Sequence, residues 1–88
     1  MARIEIAADQ AGTGAQAGSG DALFELGMLY ATGRDGPADL VVAHKWFNLA
    51  AARGNREALA HRIEVAREMS ADQIAEAQRL AREWLQTH

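Results

Sequence analysis

Between Asp21 and Ala58 the chain reads DALFELGMLYATG, a short Gly/Pro loop, then DLVVAHKWFNLAAARGNREA. The first stretch is apolar nearly all round a helix, through Ala22, Leu23, Phe24, Leu26, Met28, Leu29, Tyr30 and Ala31. A helix without a broad polar face has to be sandwiched between neighbours. Gly27 sits in its middle, where glycine costs about 1 kcal/mol relative to alanine. Close approach of a second helix is the physical reason to keep it. The segment is therefore constrained to a pair of tightly packed antiparallel helices.

Start and stop signals divide the rest. A first helix is expected over Ala22–Thr32, capped by Ser19 or Asp21. Asp-Gly-Pro at 35–37 marks a turn, and Asp39 is placed to cap a second helix over Leu40–Arg53, which Gly54 stops. Leu40, Ala43, Trp46, Phe47, Leu49 and Ala50 form its expected inward face. Val41, Lys45, Asn48 and Ala52 form the outward one, with His44 beside it as a partly exposed surface residue. Asn55 caps a third helix over Arg56–Met69, with Leu59, Ile63, Ala66 and Met69 as its apolar stripe. Glu57, His61, Glu64 and Glu68 lie opposite. Ser70 and Gln73 have the spacing of a capping box, which opens a fourth helix buried through Ile74, Ala77, Leu80, Ala81, Trp84 and Leu85.

Composition agrees with an all-α chain. Of 88 residues 49% are hydrophobic, mostly Ala and Leu, which favour helix over strand. There is one proline, Pro37, and no cysteine, which excludes disulfides and zinc–thiolate sites. The formal charge of −3 and the lack of a basic stripe argue against nucleic-acid binding. No apolar run reaches the length of a membrane span, so no membrane partner is expected and the default location is cytoplasmic. A signal removed from a longer precursor would lie outside this chain. Residues 1–20 read as a flexible lead-in, with glycines at 12, 14, 18 and 20.

AQAGSGDAL at 15–23 aligns with AARGNREAL at 51–59, pairing Ala15, Gly18, Ala22 and Leu23 with Ala51, Gly54, Ala58 and Leu59. The period of 36 residues lies in the range of helix-pair solenoids. With this phasing, Ala22, Phe24, Leu26, Gly27, Tyr30, Gly33, Asp39, Ala43, Trp46, Phe47, Ala50, Ala51, Gly54 and Ala58 stand in the order of a known signature. The chain resembles the Sel-one-like repeat family, an α/α solenoid related to tetratricopeptide repeats. The tail SADQIAEAQRLAREW looks like the terminal helix that often closes bacterial members. Two departures stand out. Asp35-Gly36 replaces the family's Gly-Val, removing an apolar loop anchor. Arg62-Ile63 and Ala66 replace the next Leu-Gly and Tyr.

The resemblance implies an all-α, right-handed antiparallel helix-pair solenoid of about four helices. Residues 21–55 would be one complete repeat, and 56–88 a degenerate half-repeat plus a terminal capping helix. With so few repeats, a capped small domain or a homodimer is expected ahead of a fragment of a longer array.

The resemblance further implies a scaffold or adaptor that binds proteins. No nucleophile elbow, phosphate loop or zinc-protease motif is present, so no catalytic activity and no cofactor are expected. Ser19 and Ser70 read as caps, and His88 as a mobile last residue. Glu57, His61 and Glu64 share a helix face at metal-ligand spacing, but a solvated charged face is the simpler account. Trp46 and Phe47 read as core. Trp84 reads as either a cover for the core or a dimer contact. The first helix of such a pair tends to line the ligand face. Here it would expose Asp21, Glu25, Met28 and Thr32, suited to a basic or amphipathic peptide. Solvation, or packing of residues 1–17 over the stripe, is the competing account. A homo-oligomerising domain and a regulatory subunit of a larger enzyme or complex are the alternative functions.

Overall fold

A computed structural model describes residues 18–34 and 36–88. Among them are four α-helices and no strand: α1 Gly20–Thr32, α2 Leu40–Ala52, α3 Arg56–Ala66 and α4 Ala71–Thr87. The expected lead-in over residues 1–17 and the departure at Asp35 lie outside the described residues.

Each helix begins where a short polar side chain can accept an otherwise unpaired N–H. Ser19 accepts from Ala22 N–H at 3.1 Å, Asp39 from Val42 at 3.1 Å, Asn55 from Ala58 at 2.9 Å and Ser70 from Gln73 at 3.1 Å. Gln73 Oε1 accepts in return from Ser70 N–H at 2.8 Å, completing the capping box. Ser19, rather than Asp21, caps the first helix, which therefore starts at Gly20. Ser19 and Asn55 hold equivalent caps one repeat period apart. Gly33 ends α1 with φ 68°, and its N–H bonds to Leu29 O at 3.2 Å. A side chain there would also strike the backbone of Gly36 and Ala38. α3 stops at Ala66, three residues short of expectation, because its exit tightens into i→i+3 bonds. Glu68 N–H reaches Val65 O at 3.0 Å and Met69 N–H reaches Ala66 O at 3.1 Å.

The α1–α2 pair is antiparallel. Asp39 N–H bonds to Tyr30 O at 2.9 Å at one end, and Gly20 lies against the backbone of Arg53 and Asn55 at the other. α2 is the hub, with α1, α3 and α4 all packed on it. The core comprises Leu23, Ala43, Phe47, Leu49, Ala50, Ala58, Val65 and Ala81, and Phe47 and Leu23 are its largest fully enclosed side chains.

Two expectations fail because α2 is surrounded. No residue of Leu40–Ala51 is exposed, so the outward stripe of Val41, Lys45 and Asn48 is half-buried and His44 is only 4% exposed. α3 is turned relative to its hydrophobic pattern. It meets the core through Ala58 and Val65, while Leu59 and Ile63 remain 44% and 48% exposed. Small Ala58 permits the close approach, and His61 and Arg62 occupy the half-buried positions between. α4 follows its pattern except at Leu85, which is exposed.

Gly27 faces Phe47, and a Cβ added there would overlap the ring. Gly27→Leu should overpack this contact and lower stability by about 1–3 kcal/mol. Urea denaturation checks it; an unchanged midpoint would remove the packing role. Ser70→Ala should cost about 1 kcal/mol through loss of the α4 cap, read from the same curves.

Candidate functional site

The expected stripe on α1 is placed as its spacing requires, with one difference. Asp21, Glu25 and Thr32 are exposed, while Met28 is half-buried and packs against the core. Asp21 Oδ1 accepts from Asn55 Nδ2 at 3.1 Å, tying the start of α1 to the start of α3. Thr32 Oγ1 donates to Met28 O at 2.9 Å. Glu25 has no hydrogen bond or ion pair among the described residues. It is the free charge of the stripe.

The remaining candidates separate. Phe47 is core, and His61 is not part of a solvated face. Its ring stands edge-on to Phe24 with centroids 5.1 Å apart, and lies 5.4 Å from Phe47. Its Nδ1 lies 3.0 Å from Glu57 O. Glu64 instead meets Arg67 at 3.4 Å. Among the described residues no group of three His, Asp or Glu side chains is placed to hold a metal ion.

Trp46 is half-buried with Nε1 sealed and unpaired, and Trp84 packs edge-on against it at 6.0 Å. Trp84 thus covers one end of the core. His88 is held rather than loose: its ring stacks on Trp84 at 4.2 Å. Arg53 lies 5.5 Å over the Trp84 ring and donates to Gly18 O at 2.6 Å. Lys45 lies 4.1 Å over Trp46. These cations explain how indole faces at the edge of a small core remain covered.

Sequence reasoning missed His44. Its ring is buried on α2, and Nδ1 has no partner. Burial, and then the positive charge of Arg62, hold its pKa below the ordinary histidine value. The available signal was the absence of any exposed position from Leu40 to Ala51, which only the assembled fold reveals.

The geometry defines the class: an antiparallel helix pair capped at each start and stopped by left-handed glycines, with small residues at the contact, is an α/α repeat unit. The Sel1 repeat family matches residues 20–55. That segment is a Sel1 repeat. No curated protein and no solved structure matches the chain. Among the described residues no helix is long and apolar enough to cross a membrane.

The His44 environment sets an acid response. The unfolded chain gains a proton at this ring as pH falls through ~6.5, whereas the folded chain gains it only at lower pH. Between the two values the unfolded state binds more protons, so stability declines as pH falls. The thermal midpoint should therefore drop between about pH 7.5 and about pH 5.5, and drop less in His44→Gln. Equal drops would assign the response to other groups.

Proposed function

We propose that this chain is a protein-binding module without catalytic activity, and that its ligand lies along Asp21, Glu25, Met28 and Thr32 of α1. Sel1 repeats generally mediate protein–protein interaction, which supports the class of function. The observation that carries the site is Glu25, an exposed carboxylate with no hydrogen bond or ion pair among the described residues, one turn from the partly exposed Met28. Among the described residues α1 packs principally on α2, and none of them covers its far side. An acidic stripe with a thioether suits a basic, amphipathic segment, since a flexible sulfur side chain adapts to varied apolar surfaces. In this reading residues 21–55 form the binding repeat, and 56–88 close its end.

Glu25→Lys changes the stripe's charge at an exposed position, so the melting temperature should hold within about a degree or two. Binding of a labelled Lys/Leu amphipathic peptide, followed by fluorescence anisotropy, should weaken roughly tenfold or more. Retained affinity would place the site elsewhere. Met28→Ser is a poorer probe, because Met28 also packs on the core.

A further inference from the structure

α3 and α4 both rest on α2 but scarcely touch each other, so a cleft opens between them with α2 as its floor. It is an open recess of about 460 Å³, lined by His44, Arg62, Ile63, Ala66, Arg67 and Gln78. The lining holds two guanidinium groups, an imidazole and an amide, with no carboxylate, in a chain whose formal charge is −3.

The charges in this cleft are poorly neutralised. Arg62 is half-buried, and one guanidinium nitrogen is fixed by Asn48 Oδ1 at 2.9 Å. No ion pair reaches it among the described residues. Its position is set while most of its N–H groups stay unused. Arg67 meets only Glu64, at 3.4 Å with both side chains largely exposed, a contact of little strength. His44 is buried on the floor with Nδ1 sealed and unpaired, so Nε2 is the ring nitrogen available to the cleft. Beside these donors stand Ala66 and the half-exposed Ile63.

We propose that this cleft binds an acidic side chain of a partner polypeptide, its carboxylate on Arg62, Arg67 and His44 and an adjacent apolar residue on Ile63. A planar guanidinium already oriented by a second hydrogen bond is the donor geometry that carboxylates accept in pairs. One unpaired arginine and a neutral imidazole match the single charge of a carboxylate better than the nearly double charge of a phosphate ester. The exposed Ile63 gives an apolar neighbour a surface that a free inorganic anion would not use. This site lies on α2, α3 and α4, is opposite in sign to the α1 stripe, and stands whether or not that stripe binds anything.

The test is an NMR titration of the labelled chain with acetyl-Leu-Glu-Leu-amide, the matched acetyl-Leu-Gln-Leu-amide, and inorganic phosphate. Saturable shifts at the His44 ring, Arg62 Nε and the Gln78 side-chain amide are expected with the Glu peptide, roughly tenfold weaker with the Gln peptide. Arg62→Gln should weaken the Glu peptide by a similar factor. Because Arg62 also holds Asn48, Arg67→Gln at its exposed position serves as the second variant, with a loss of about threefold or more. No saturable shift, equal response to both peptides, saturation by phosphate alone, or full affinity in both variants would each overturn the proposal.

Discussion

Three of the four helices meet at the ring of Phe47. On one side it occupies the space a Cβ of residue 27 would need, so α1 lies close to α2 only because that residue is glycine. Phe24 packs at 5.8 Å and His61 at 5.4 Å, bringing in the outer part of α1 and the whole of α3. The rest of the core consists largely of alanines, which bury little area each but let backbones approach. In a chain of 88 residues, near the size at which one core barely suffices, few large side chains share the load. Changes at Phe47 or Gly27 should therefore act on the whole assembly, whereas most surface changes act only locally.

Features that depend on neighbours in sequence were legible. Asp39, Asn55 and Ser70 cap the helices they were expected to cap, since a side-chain oxygen reaching an N–H three residues on needs no tertiary help. Gly54 takes the positive φ expected of its helix stop. Features that depend on how many sides of a helix are covered were not legible. The pattern of α2 allows an outward stripe, but three packing partners remove it and bury His44. On α3, hydrophobicity placed Leu59 and Ile63 inward, whereas the core selected residues by shape and pairing. Ala58 fits the close contact, His61 meets two aromatic rings and Arg62 meets Asn48.

The same distinction governs the two binding surfaces. The α1 stripe follows one helical periodicity, so its four positions could be named from spacing alone. The cleft joins side chains from three helices, and no periodicity links His44 to Arg62 or Gln78. It exists because α4 crosses α2 without closing on α3, a relation set by which residues of α2 are small enough to accept each neighbour. Its α3 wall joins Arg62 to Ile63 and Ala66, two residues that the hydrophobic pattern had placed in the apolar stripe.

Opposite charge on the two surfaces follows from this packing more than from composition. On α1 the buried side is so thoroughly apolar that its carboxylates can only face outward, and among the described residues Glu25 finds no cation there. On α3 the inward turn of Arg62 draws positive charge toward α2, while Glu57, Glu64 and Glu68 remain exposed. A net negative chain thereby acquires one locally basic recess. That recess is held by the Arg62–Asn48 bond and floored by a ring whose burial keeps it neutral. Neutralising His44 matters for more than stability: a charged ring would repel the neighbouring Arg62. The lowered pKa follows first from burial on α2 and then from the positive charge of Arg62, so the packing that encloses the ring also sets the chemistry of the recess.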